Sequence, residues 1–207
     1  MKTISRLQYF TQESLLFTYE EQVKLMSSYG CDSVHLKIKN STEKGYLKIA
    51  EKCVKIAHEN NSKLIVWDYP DVALKIHADG VHFTDPNSIE LKVVKKWSQE
   101  FVMGCSVNSL DDIIGLQHEF DYLFLGPYEN RTSESEQSTI IGITGYKTLI
   151  DEMVKKQLYI PVIAAGGIRL TDVAFLAPSG IYGLAISTEV LEVHDVLLEI
   201  KKFQAAI

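Results

Sequence analysis

The sequence has few cysteines, and none of them is spaced for chemistry. Cys31, Cys53 and Cys105 form an odd set without a CxxC pair, which argues against a metal or catalytic role. Each lies in or beside an apolar stretch, where reduced core thiols are common, and a cytoplasmic location is expected. No apolar run reaches the roughly 18 residues that a membrane span needs, and the opening MKTISRLQYF has no signal-peptide core. Excess positive charge is missing too: 21 Lys and Arg stand against 27 Asp and Glu, a formal net charge of -6. Such a field repels phosphate backbones and anionic lipid, so neither nucleic acid nor membrane is an expected partner, while a local basic pocket stays open. No linker, low-complexity tract or mid-chain shift in composition interrupts the 207 residues, which are read as a single domain, 1–207.

What the sequence does contain is an alternation of short β-rich apolar runs with longer segments of helical periodicity. Leu7–Thr11 is the first run, and Thr18 with Glu21 forms a capping box that opens a helix closed by Gly30. Ser33–Lys37, Leu64–Asp68, Gly80–Phe83, Phe101–Ser106, Asp121–Leu125, Pro161–Ala165 and Ile181–Ile186 supply seven more strands. Helices are predicted over 41–60, from about Pro70, over 88–97, from the Ser109 cap to about His118, and over 144–156, 171–177 and 190–203. Near-continuous apolar strands imply a parallel sheet covered on both faces. Eight β→α units predict a closed (β/α)₈ barrel of the α/β class. The competing open, doubly wound sheet lacks its GxGxxG after the first strand.

In such barrels chemistry sits at the C-terminal ends of the strands. The residues there are Lys37 and Lys39, Asp68, Thr84, Asp85 and Asn87, Ser106 and Asn108, 131–134, Gly166 and Gly167, then Ser187 and Thr188. The AAGGI run at 164–168 is the sharpest signal, because paired glycines let backbone N–H groups approach a phosphate closely. Ile186, Ser187 and Thr188 add amides and hydroxyls from the eighth strand, where phosphate commonly binds in this fold. A tight turn that needs glycine for geometry alone is the plainer reading. Asp68, at the end of an apolar run, must be paired or bind a hard cation, with Mg²⁺ bridging substrate phosphates as the sharper reading. His82 is expected on an inward face as a core histidine, and His35 stands nearer the site end. The polar stretch 129–139 has the length and position of a lid.

The segments RLQYFTQ, SVHLKIKN, LIVWDYPDVALKIHADGVHF, MGCSVNSLDD, DYLFLGPYENRT, IIGITGY, IPVIAAGGI and IYGLAIST together resemble the thiamine-phosphate synthase family and its tautomerase relatives, almost end to end. The resemblance implies a (β/α)₈ barrel. It also implies a transferase reaction in which Mg²⁺ helps pyrophosphate leave a hydroxymethylpyrimidine diphosphate and a thiazole phosphate captures the resulting cation. Its partners would be phosphorylated small molecules, with a homodimer as an open question of assembly. Carried onto this chain, Lys37, Lys39, Ser106 and Arg131 take the catalytic positions. His35, Trp67, Asn108, Thr132, Ser133, Gly166, Gly167, Ile186 and Ser187 take the substrate-binding ones, and Asp68, Asp85 and Asn87 the metal ones. The chain departs from the family pattern where QLR-x-K becomes His35-Leu36-Lys37-Ile38-Lys39 and Asn-Asp becomes Trp67-Asp68. Thr-x-Thr-Lys becomes Arg131-Thr132-Ser133-Glu134, which leaves Arg131 to restore a lost charge. Two other readings follow: a thiazole tautomerase-type isomerase, for which only His35 could serve as acid/base because SVHSL is SVNSL here, and a non-catalytic paralogue that binds a thiamine-pathway phosphate.

Overall fold

A computed structural model describes residues 2–85, 94, 96–129 and 140–207. Eight strands run in chain order: β1 (Leu7–Phe10), β2 (Ser33–Leu36), β3 (Lys63–Trp67), β4 (Gly80–Phe83), β5 (Val102–Val107), β6 (Tyr122–Leu125), β7 (Val162–Ala165) and β8 (Gly183–Ile186). Each pairs in parallel with the next, and β8 returns to β1 through Leu7↔Leu184, Gln8↔Ala185 and Tyr9↔Ile186, so the barrel closes. The helices are α1 (Tyr19–Ser28), α2 (Glu43–Glu59), α3 (Pro70–Ile76), α4 (Leu110–Leu116), α5 (Gly142–Lys155), α6 (Leu170–Leu176) and α7 (Val196–Ala206). The helix expected over 88–97 falls mostly outside the described residues. Among the described residues no helix is long and apolar enough to cross a membrane.

Local chemistry sets these boundaries. Thr18 and Glu21 form the expected capping box, and Ser109 accepts from Asp112 N to open α4. The last helix starts later than its apolar pattern suggested. A single 3₁₀ turn occupies Thr188–Val190, and the cap is Asp195, whose carboxylate accepts from Leu198 N at 2.9 Å. A cap satisfies amide donors that an uncapped start at Val190 would leave bare.

Strand alternation sorts the interior into two cores. The larger lies between sheet and helices and runs from Val34, Leu36 and Leu64 to Tyr146, Ile150 and Phe203. The smaller fills the barrel itself with Ile4, Phe10, Trp67, Tyr122, Phe124, Ile163, Ala165 and Ala185. All three cysteines are buried and unpaired. Two tyrosines tie helices to strand ends. The Tyr46 hydroxyl donates to Leu36 O and accepts from Trp67 N; that of Tyr146 donates to Leu125 O and accepts from Ala165 N.

Candidate active site

The C-terminal mouth of the barrel holds a cavity of about 230 Å³, as bounded by the described residues. Part of its wall is made of side chains from Phe10, Lys37, Trp67, Thr84, Ser106 and Phe124; the rest follows Gly126, Pro127, Ala165 and Gly166. Larger depressions, 570 and 670 Å³, lie at the other end of the barrel around Tyr159, Pro161 and Tyr182. In this architecture that end carries stability rather than chemistry.

Lys37 is the first residue beyond β2, and the buried Thr11 hydroxyl holds it in place. That hydroxyl accepts from Lys37 N at 3.0 Å and donates to Lys37 O at 3.1 Å. The ammonium then lies 4.7 Å from the ring centroid of Trp67 and 5.6 Å from that of Phe10, an arrangement that favours a cation. The Trp67 ring points into the barrel, stacked between Phe10 (5.9 Å) and His82 (4.3 Å).

Beneath this layer sit two fully buried histidines. Indole N–H can only donate, so Trp67 Nε1, 3.0 Å from His35 Nδ1, makes that nitrogen the acceptor. The His35 proton is therefore on Nε2, which donates to Gln8 Oε1 at 2.6 Å. Burial pushes the His35 pKa from 6.5 down to about 3, because a charged imidazole would lose its hydration. His82 is likewise driven well below its ordinary value, first by burial and then by His35 and Lys37. Its ring joins Ser106 Oγ (2.9 Å) to the Tyr122 hydroxyl (3.1 Å).

Asp68 follows β3 in a left-handed conformation, φ 62, which aspartate tolerates better than most residues. The turn makes it exposed rather than buried, and its carboxylate accepts from Thr84 N at 2.7 Å and Thr84 Oγ1 at 2.6 Å. Asp85 is exposed beside it in sequence, past the end of β4. Asp68, Asp85 and Asp112 all act on Cys105, whose pKa rises to about 12 chiefly through burial. Among the described residues no group of three or more His, Cys, Asp or Glu side chains could hold a metal by itself.

On the β7 side, Gly166 and Gly167 take φ of +87 and +69. A Cβ at Gly166 would also meet Pro127 Cα and Cβ at 3.0 Å, so two independent reasons require glycine there. The loop after β6 docks on this turn through Tyr128 N→Ala165 O (2.9 Å) and Glu129 N→Gly166 O (3.2 Å).

A family model described as thiamine monophosphate synthase matches residues 8–190. The chain belongs to that family. The thiamine-phosphate synthase of Flavobacterium johnsoniae is 31% identical over 194 residues, covering 91% of this chain and 89% of that protein. The one from Phocaeicola vulgatus is 26% identical over 202 residues, 97% of each. A thiamine phosphate pyrophosphorylase structure from Pyrococcus furiosus superposes with a TM-score of 0.82 at 24% identity, covering 97% of this chain and 94% of that one, a likeness of fold. The family is one of transferases in thiamine biosynthesis, and this membership favours the synthase reading over the isomerase one.

Against the family's expected site, the structure sorts the residues. Lys37, Trp67, Ser106 and Gly166 share the cavity wall. Gly167 follows Gly166 in the same turn, while Lys39 and Asn108 are exposed and line no part of the cavity. Asn87, Arg131, Thr132 and Ser133, with most of the expected lid, lie outside the described residues. Three more of the expected binding residues are absent from the cavity wall. His35 lies below Trp67 and is sealed from the cavity, because its ring serves the indole and Gln8. Ser187 is buried and spends its hydroxyl on Phe10 O at 2.9 Å, closing the β8–β1 seam; Ile186 is buried behind it. What sequence reasoning left out of the site is His82 with Tyr122. The alternation of the DGVHF strand had turned His82 inward, but its partners arrive from β5 and β6.

Proposed function

We propose that this chain joins hydroxymethylpyrimidine diphosphate to thiazole phosphate and releases pyrophosphate. The observation that carries this reading is the single cavity in which Lys37 and Ser106 meet the Gly166 turn, in a member of this family. In the reaction the bond from the pyrimidine methylene carbon to the diphosphate oxygen breaks, and a bond from that carbon to the thiazole nitrogen forms. Lys37 supplies positive charge where the diphosphate departs. The Gly166–Gly167 turn offers backbone amides to the thiazole phosphate without a Cβ in the way. Ser106 meets the pyrimidine side, and the apolar surface of Phe10, Trp67 and Phe124 keeps water from the carbon that becomes electron-poor.

Asp68 and Asp85 are hard oxygen donors at neighbouring strand ends and fit Mg²⁺, which binds through one or two carboxylates and completes its shell with substrate phosphate and water. Thr84 fixes the Asp68 carboxylate by two hydrogen bonds, as carboxylates that serve metals commonly are fixed. When bound, Mg²⁺ neutralises charge on the departing diphosphate. The isomerase alternative would need His35 as acid/base, and that ring is buried, neutral and committed to two partners.

The test is turnover by purified protein with both substrates and Mg²⁺, following pyrophosphate. Release that needs both substrates and is lost in Asp68→Ala supports the reading. No release, with thiazole phosphate still bound in calorimetry, replaces it with a phosphate-binding barrel that has lost the transfer step.

A further inference from the structure

The cavity wall owes one of its polar groups, the Ser106 hydroxyl, to a buried chain that begins on β6. Tyr122 is 1% exposed, its hydroxyl 3.1 Å from His82 Nδ1, and His82 Nε2 is 2.9 Å from Ser106 Oγ. Among the described residues the Tyr122 hydroxyl has no other hydrogen-bond partner. If His82 carried its proton on Nδ1, it would donate to the phenol oxygen, and the phenol O–H would be buried with nothing to donate to. With the proton on Nε2, every group is satisfied: Tyr122 O–H donates to Nδ1, and Nε2–H donates to Ser106 Oγ. The Ser106 proton is then left to point into the cavity.

We propose that Tyr122 and His82 are positioning residues that fix Ser106 as a hydrogen-bond donor, so that the ligand must present an acceptor atom to it. The stacked Trp67 ring holds the imidazole in plane from one side. Gly104 makes room for the phenol, because a Cβ there would collide with it. The direction of each hydrogen bond follows from the phenol's isolation and does not depend on the reaction. Its kinetic consequence rests on the synthase reading, in which the acceptor is an unprotonated ring nitrogen or the ester oxygen of the pyrimidine diphosphate.

Two measurements separate these levels. The first is the ¹⁵N spectrum of the histidine side chains at neutral pH, with the His82 signal assigned by its loss in His82→Asn. A neutral, Nε2-protonated ring that shifts toward a mixture of tautomers in Tyr122→Phe is expected; a ring protonated on Nδ1 overturns the proposal whether or not the protein turns over. The second is a double-mutant cycle on pyrophosphate release with Ser106→Ala. Gln can place an N–H near the Nε2 position and Asn cannot, so His82→Gln should keep at least tenfold more kcat than His82→Asn in the Ser106 protein. In the Ser106→Ala background the two should differ by less than about twofold. Equal losses in both backgrounds would mean that His82 acts on the fold and not through Ser106. Wild-type protein without turnover would remove the synthase reading and leave the spectrum to decide the hydrogen-bond direction.

Discussion

The β2–β3 and β6–β7 regions of the barrel are built on one plan and used in two ways. In each, a helix that carries a Gly-Tyr pair near its start sends its tyrosine hydroxyl between two strand ends: Tyr46 to Leu36 and Trp67, Tyr146 to Leu125 and Ala165. A second tyrosine packs on each, Tyr69 at 4.7 Å and Tyr128 at 5.9 Å. Beyond those matched clamps the two regions part. At the ends of β2 and β3 stand Lys37, Trp67 and Asp68, which are proposed to act through their side chains. After β6 and β7 come Gly126, Gly166 and Gly167, the first two on the cavity wall, where no side chain stands between backbone and cavity. A backbone site depends on φ and on the lack of a Cβ, so little variation is compatible with it. A side-chain site can be rebuilt residue by residue: the chain departs from the family pattern at 35–39 and 67–68 in this half, and again at 131–134 after β6.

That contrast can be broken by mutation. The largest effect is expected for Lys37→Ala, with kcat/KM for pyrophosphate release falling by about 10²- to 10³-fold and thiazole phosphate affinity in calorimetry staying within about threefold. A comparable loss of thiazole phosphate binding would erase the division between the halves. Next comes Asp68→Ala, for which a drop of about 10²-fold and a higher Mg²⁺ requirement are expected in a Mg²⁺ titration; an unchanged titration would remove Asp68 from the metal site. Gly166→Ala should act the other way round. It imposes strain at φ +87 and a 3.0 Å approach to Pro127, so stability should fall by about 1–3 kcal/mol. The KM for thiazole phosphate should rise about tenfold, with kcat for bound substrate changing less.

The smallest effect concerns stability against pH. His35 is neutral in the fold, with a pKa of about 3 against 6.5 when unfolded. Between those values the unfolded chain binds the extra proton. The stabilisation is therefore complete above pH 6.5 and is lost as pH falls toward 3, by about 1.4 kcal/mol per pH unit at most. In His35→Gln, the decline of Tm between pH 6.5 and 4.5 should be shallower than in the unsubstituted protein. Parallel curves would show that this ring does not set the slope, with His82 left as the other buried imidazole of the barrel interior.

The glycine turn was legible because its cause is local: two adjacent glycines at a strand end serve backbone geometry wherever they occur. Lys37 was legible as a strand-end residue in a barrel whose chemistry lies at that end. The His35 ring and the Ser187 hydroxyl stand off the cavity wall for a shared reason. Whether a strand-end side chain meets the cavity or the seam between strands depends on what neighbouring strands bring, here Trp67 and Gln8 for one and Phe10 O for the other. Asp68 looked buried because its strand is, yet one left-handed residue turns it outward.

By itself the sequence determined the eight-unit alternation, the barrel that follows from it, the buried core cysteines and the glycine turn after β7. Each rests on periodicity, capping or glycine chemistry within a few consecutive residues. The tertiary structure alone decided the direction of the Trp67 ring, the tautomer of His35 and the Tyr122–His82–Ser106 chain. These are fixed by hydrogen bonds between residues that barrel closure brings together from different strands, and a donor finds its acceptor only after the strands have taken their register.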